Sequence, residues 1–175
     1  MRSTRVRVIS LTAGLMLTLA ACGGGGGGGT GEAASSAAAS PAGVTFKAAK
    51  LGGGTLSSSS FKGKDTVLWF WAPWCTICRG EAPNVNAVAD AFKGKVQIIG
   101  IAGRGEVPAM DGFVSDTKTG ALTHVVDDSG AIWSSYGVAA QPSFAFINDD
   151  GTVKVFIGAL GKDGLTKQMN ALVAS

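Results

Sequence analysis

The chain has 175 residues, three cysteines, one histidine and a formal charge of +3, from 15 Lys and Arg against 12 Asp and Glu. Arg2, Arg5 and Arg7 carry that excess, since without them the 15 basic residues fall to 12 and match the acidic ones. A balance of this kind, with no basic stripe, excludes a nucleic-acid footprint, which needs clustered Lys and Arg. The length suits one domain with an appendage.

Residues 1–21 have the layout of a bacterial lipoprotein signal peptide. Arg2, Arg5 and Arg7 form a positive n-region, and Val8 to Ala21 an apolar stretch broken by one glycine. That stretch is shorter than the about 20 apolar residues of a comfortable membrane span. Leu19-Ala20-Ala21-Cys22 resembles a lipobox, in which cleavage leaves Cys22 as a lipid-modified N-terminus. The alternative is an ordinary cleavable signal with an incidental cysteine. Lipidation would tether the protein firmly to the cell membrane, because each buried CH₂ contributes about 0.8 kcal/mol. Residues 22–43 include the run Gly23 to Gly29 and hold almost only Gly, Ala, Ser and Thr, with Glu32 the one charge. Such a segment buries too little apolar surface to offset chain entropy, and a flexible tether is expected.

The pattern changes at Val44, where a folded domain over 44–175 is expected to begin. Val44 to Lys47 and Gly54 to Leu56 read as a short hairpin with Gly52-Gly53 near its turn. Ser57 to Phe61 reads as a helical turn. Thr66 to Trp71 is a continuous apolar run of strand length, suited to a strand buried on both faces. Cys75 to Phe92 has near-helical apolar spacing, with a kink expected at Pro83. Val96 to Ala102 predicts a second buried strand, and Val107 to Thr117 a helix. Leu122 to Val126 is a weak strand, followed by a turn at Asp127 to Gly130 and a short helix over Ile132 to Tyr136. Ser143 to Ile147 and Thr152 to Ile157 flank Asp150-Gly151, an antiparallel hairpin signal. A last helix runs from about Lys162 to Val173, with Leu165, Met169 and Leu172 as its inner stripe. Helix crossovers make the early strands parallel, and the last hairpin makes one edge antiparallel. The fold class is α/β, a mixed central sheet flanked by helices, with an N-terminal β-hairpin and a central β-plus-helix insertion.

Cys75 and Cys78 form a Cys-x-x-Cys pair at the start of the first long helix. There the first sulfur meets unpaired backbone N–H groups at the positive end of the helix dipole, which favours its thiolate. Zinc is disfavoured because there is no second cysteine pair and only one histidine to complete four ligands. Covalent haem attachment would need a histidine where Arg79 stands. A structural bridge over two residues would restrain the unfolded chain little. Redox exchange is therefore the preferred chemistry. His124 is expected on a strand or at the surface rather than in catalysis. Trp69, Phe70 and Trp71 are expected in the core, with Trp71 and Trp74 candidates for lining a groove. Asp127, Asp128 and Gly130 form a turn without the spaced ligands of a calcium loop.

The segment Val67-Leu68-Trp69-Phe70-Trp71-Ala72-Pro73-Trp74-Cys75-Thr76-Ile77-Cys78 resembles the active-site stretch of the thioredoxin superfamily. The similarity extends through Arg79-Gly80-Glu81-Ala82-Pro83 and through Tyr136 to Ser143. The extra hairpin and the insertion around residues 103–137 are similar to the TlpA/ResA/DsbE group, and most of all to the secreted and lipid-anchored Dsb-type (DsbE and DsbF) oxidoreductases of actinobacteria.

This resemblance implies a thioredoxin fold and roles for particular residues. Cys75 would be the exposed nucleophile and Cys78 the buried resolving thiol. Pro142 corresponds to the family's cis-proline, which faces the disulfide. Gln141 would offer backbone groups to an extended substrate, beside Trp74. Thioredoxin keeps a buried acid six positions before its first cysteine, where Trp69 stands here. That role passes to Glu81, in the ResA-like pattern Cys-x-x-Cys-x-x-Glu-x-Pro, as a partly buried proton relay to Cys78. No metal or organic cofactor is implied. Implied partners are cysteine-containing secreted or envelope proteins and a membrane redox partner that recycles the pair. An oxidase is the preferred reading, with a TlpA/ResA-like reductase or a non-catalytic peptide-binding module as alternatives. Peroxidase activity is weaker, since its active cysteine would not need a Cys-x-x-Cys partner.

Overall fold

The computed structural model describes residues 44–175, so the expected signal peptide, Cys22 and the expected tether lie outside the described residues. Its first elements are local in origin. Gly52, Gly53 and Gly54, all at positive φ, reverse the chain between β1 (Lys47–Ala49) and β2 (Thr55–Ser57), an antiparallel pair. The Ser57 hydroxyl then accepts from the Ser59 backbone N–H and starts a 3₁₀ turn over Ser58–Phe61.

Beyond the hairpin the chain runs β3 (Thr66–Trp71), α1 (Thr76–Ala91), β4 (Gln97–Gly103), α2 (Val107–Thr117), β5 (Thr123–Asp127), α3 (Ala131–Ser135), β6 (Ser143–Ile147), β7 (Val153–Ile157) and α4 (Gly161–Leu172). The helix α1 runs on through Pro83. Leu165, Met169 and Leu172 are the buried stripe of α4, as their spacing requires. Among the described residues, no helix is long and apolar enough to cross a membrane.

Five strands form one sheet in the order β5-β4-β3-β6-β7. The pairs β3–β4 and β4–β5 are parallel, and β3–β6 and β6–β7 antiparallel. The central β3 is buried at every position. Because side chains alternate across a sheet, its residues divide between two cores. Val67, Trp69 and Trp71 pack with residues of α1, α2 and α4. Leu68 and Phe70 pack with Phe61, Ile132, Trp133 and Tyr136. Each such side chain contributes about 1.5–3 kcal/mol on burial, so β3 ties both layers together. The strand of the expected insertion, β5, completes the main sheet as its edge strand. A bridge from Lys50 to Val125 ties the N-terminal hairpin to that edge.

Register decides where loops meet. Phe70 faces Ser143 in the antiparallel pair, while Trp71 faces Ala102 and Gly103 faces Asp127 in the parallel ones. The segments after β3, β4 and β5 and the segment before β6 therefore leave the sheet at one end. In open α/β sheets that carboxyl end is where sites are built.

Of the two expected places for His124, strand or surface, the strand is the one found, and the residue is 4% exposed. It sits opposite Gly100, where an added Cβ would lie 2.1 Å from His124 Nδ1 and 2.7 Å from Trp71 Nε1. The absent side chain makes room for both rings. Trp71 Nε1–H donates to His124 Nδ1 at 3.3 Å, and Nε2 lies 3.0 Å from the Thr119 carbonyl oxygen. The Nδ1 acceptor role requires a neutral ring protonated at Nε2. Burial pushes the imidazole below its ordinary value of 6.5, outweighing the raising effect of the Thr119 carbonyl.

This sets a pH dependence of stability. As pH falls through the ordinary imidazole value, the unfolded chain takes up a proton that the folded one resists, so stability falls. His124 is the sole histidine of the chain, and carboxylates titrate lower. The urea midpoint of the oxidised protein should drop between about pH 7.5 and 5.5. In His124→Gln that drop should flatten, and an undiminished slope would contradict the buried neutral imidazole.

Candidate active site

The sequence Ala72-Pro73-Trp74 carries the chain out of β3, and Cys75 takes extended backbone angles as the N-cap of α1. Its carbonyl accepts from the Arg79 N–H at 3.1 Å, and its sulfur from the Cys78 N–H at 3.0 Å. A sulfur therefore occupies the position at which Ser, Thr or Asp usually satisfies the free amides of a first turn. Cys75 and Cys78 are joined in a disulfide, with Cα atoms 5.2 Å apart. Cys78 is fully buried and Cys75 is 5% exposed. The expected order of exposure holds, but Cys75 is far from an open nucleophile, because its sulfur turns inward to meet the first turn of α1. The exposed surface beside the pair is apolar instead. Trp74 is 59% and Ile77 62% exposed.

Pro142 lies one residue before β6, at the same end of the sheet as Cys75. The Gln141–Pro142 peptide is cis, and Pro142 is buried. Two hydrogen bonds fix this loop: Ser143 Oγ donates to the Ala140 carbonyl at 2.7 Å, and Gly158 N–H to the Pro142 carbonyl at 2.9 Å. The Gln141 side-chain oxygen is buried and accepts no hydrogen bond among the described residues. Trp71 does not line a groove. It is fully buried and stacks on Phe113 with centroids 4.1 Å apart. Trp74 remains available, held by donation from its Nε1 to the Arg104 carbonyl at 2.6 Å.

Glu81 is 4% exposed, more deeply buried than expected, on the α1 helix three residues beyond Cys78. Its Oε1 accepts from the backbone N–H groups of Leu160 (3.2 Å) and Gly161 (2.9 Å), and Oε2 from Asn84 Nδ2 at 3.4 Å. The carboxylate thus serves the free amides at the start of α4, and among the described residues no hydrogen bond joins it to either sulfur. Trp69, at the place of the thioredoxin acid, is fully buried and its Nε1 has no hydrogen-bond partner among the described residues. Among the described residues, no group of three or more His, Cys, Asp or Glu is placed to hold a metal ion.

Comparison with known proteins agrees with this geometry. A model of the AhpC/TSA family matches residues 41–156. The chain belongs to that family. Soluble secreted antigen MPT53 of Mycobacterium tuberculosis (strain ATCC 25618 / H37Rv) is 39% identical over 135 residues, 75% of this chain and 76% of the relative. The solved structure of MTB DsbF is 42% identical, with a TM-score of 0.73 over 75% of this chain and 98% of that one. A secreted M. tuberculosis disulfide oxidoreductase homologous to E. coli DsbE is 40% identical, with a TM-score of 0.68 over 73% of this chain and 96% of that one. This family member is accordingly a thiol–disulfide oxidoreductase of the thioredoxin superfamily, and the expected fold is the fold found.

Two site neighbours escaped the reading of the sequence. Arg79 pairs with Asp116 at 3.0 Å, donates to the Pro73 carbonyl at 3.2 Å and lies over the Phe113 ring. It is a partly exposed pair, of the kind worth about 0–1 kcal/mol, and its contact with Pro73 steadies the active-site turn. Arg104 supports Trp74 as described. The only signal for it was its place between two glycines directly after a buried strand.

Proposed function

We propose that the protein is an extracytoplasmic oxidase that forms disulfides in secreted or envelope proteins through Cys75 and Cys78. The observation that carries this reading is the disulfide at the start of α1, with the Cys75 sulfur at the first-turn amides. A client thiolate attacks Cys75 Sγ and breaks the Cys75–Cys78 bond, so that Cys78 leaves as the resolving thiolate. A second client thiolate then attacks the client sulfur of the mixed disulfide and expels Cys75 as a thiolate, which the amide groups of α1 stabilise. The client loses two electrons and the pair gains them. A membrane redox partner removes them again.

Trp74, Gln141 and Pro142 bind the client in this reading. The exposed faces of Trp74 and Ile77 give an extended polypeptide apolar contact, and Gln141 offers backbone groups in the manner of strand addition. Glu81 carries the proton that Cys78 gains and loses, supported by its burial on the same helix three residues away. Export and attachment through lipidated Cys22 place the chemistry outside the cytoplasm, where disulfides persist. The secreted character of MPT53 supports that location.

A reductase of the TlpA/ResA kind is the second reading, favoured by Glu81 in its ResA-like position. Equilibration of the pair with glutathione separates the two. Potentials of such pairs range from about −270 to −120 mV, or roughly 7 kcal/mol. An oxidase is expected toward the upper end, and a value near −270 mV would overturn it. For Glu81→Gln, the pH dependence of cysteine alkylation should shift, and an unchanged profile would remove Glu81 from proton transfer. Radioactive fatty acid should label the parent and not Cys22→Ala; equal labelling of both would refute the anchor.

A further inference from the structure

We propose that Arg104 is a positioning residue for polypeptide substrates, clamping Trp74 to the loop that leads into Pro142. The inference rests on the reading that a client lies between those two walls. Gly103, the last residue of β4, forms a strap with Arg104 and Gly105. An added Cβ at Gly103 would lie 2.8 Å from Trp133 Nε1, and one at Gly105 would lie 2.5 Å from Pro73 Cγ. Both glycines are therefore demanded by close approach, and the strap is wedged between α3 and the residue preceding Trp74.

Arg104 itself stands at φ 57, a left-handed conformation in which glycine is the favoured residue and any side chain is disfavoured. A third glycine would suit this backbone better. A broken local rule of this kind points to what the side chain does. The guanidinium lies over the Trp133 ring, 5.0 Å from its centroid, and Nη2 donates to the Ala139 carbonyl at 2.8 Å. Trp133 is a firm platform, 2% exposed, with its Nε1 donating to the Ile101 carbonyl at 3.2 Å. The Arg104 carbonyl meanwhile accepts from Trp74 Nε1 at 2.6 Å. One residue thus joins the exposed tryptophan beside Cys75 to the exposed segment before Gln141 and Pro142, which share no strand.

Holding both walls in advance removes ordering cost from the binding of a chain that must touch both. A small disulfide touches only the sulfurs and gains much less. Lysine cannot replace the arginine, because a point charge does not combine flat stacking with a fixed donor.

The test compares the parent, Arg104→Gly and Arg104→Lys as catalysts of disulfide reduction by dithiothreitol. Insulin is the polypeptide substrate and bis(2-hydroxyethyl) disulfide the small one. Glycine suits the backbone, so Arg104→Gly should melt within about 3 °C of the parent. In both variants kcat/KM for insulin should fall at least about fivefold further than that for the small disulfide, mainly through KM. A parent that takes insulin no better than the small disulfide would overturn the groove reading and this inference together. A parent that prefers insulin, with the same preference kept in both variants, would overturn the role of Arg104 alone. Equal losses on both substrates with a lower melting temperature in Arg104→Gly would mean that the arginine only supports the fold.

Discussion

Cys75 is held where a buried strand turns into a helix, and its sulfur takes the place of a capping oxygen. That contact, 3.0 Å from the Cys78 amide, fixes where the Cys75 sulfur sits. A thiolate formed there meets N–H groups already aligned, so the stabilisation needs no rearrangement. The rest of the molecule maintains that junction. Trp69 and Trp71 bury one face of β3 against α1, α2 and α4, while Leu68 and Phe70 bury the other. A strand anchored on both faces cannot shift its end, and Pro73 and Trp74 are delivered to one place.

The other side of the site comes from the sheet. Antiparallel pairing of β3 with β6 puts the cis Gln141–Pro142 peptide at the end where Cys75 emerges. Parallel pairing with β4 brings the strap at Arg104 to the same end. Three segments far apart in sequence meet there, and hydrogen bonds of Trp74, Arg104 and Ser143 lock them to each other and to the sheet. The Glu81 carboxylate joins α1 to the first turn of α4.

The elements were legible in the sequence where the cause is local. Thr66–Trp71 and Val107–Thr117 fall at the expected residues because an apolar run and a helical period act over neighbouring positions. The Cys-x-x-Cys pair and the Gln-Pro step were legible as motifs. What escaped depends on contacts across the sheet or between distant loops. His124 is buried because Gly100, 24 residues earlier, leaves room for it beside Trp71. Glu81 finds its donors at Leu160 and Gly161, about 80 positions on. Arg104 gains meaning only once Trp133 and Ala139 are folded against it. The low exposure of Cys75 likewise follows from the cap geometry rather than from residue type.

The most direct measurement is covalent trapping at the pair. Reduced Cys78→Ser protein is mixed with insulin and analysed by mass spectrometry. With the resolving sulfur gone, a mixed disulfide between Cys75 and an insulin chain should accumulate and be released by dithiothreitol, while Cys75→Ser forms little. Absence of the adduct, or equal adducts in both variants, would contradict Cys75 as the exchanging sulfur.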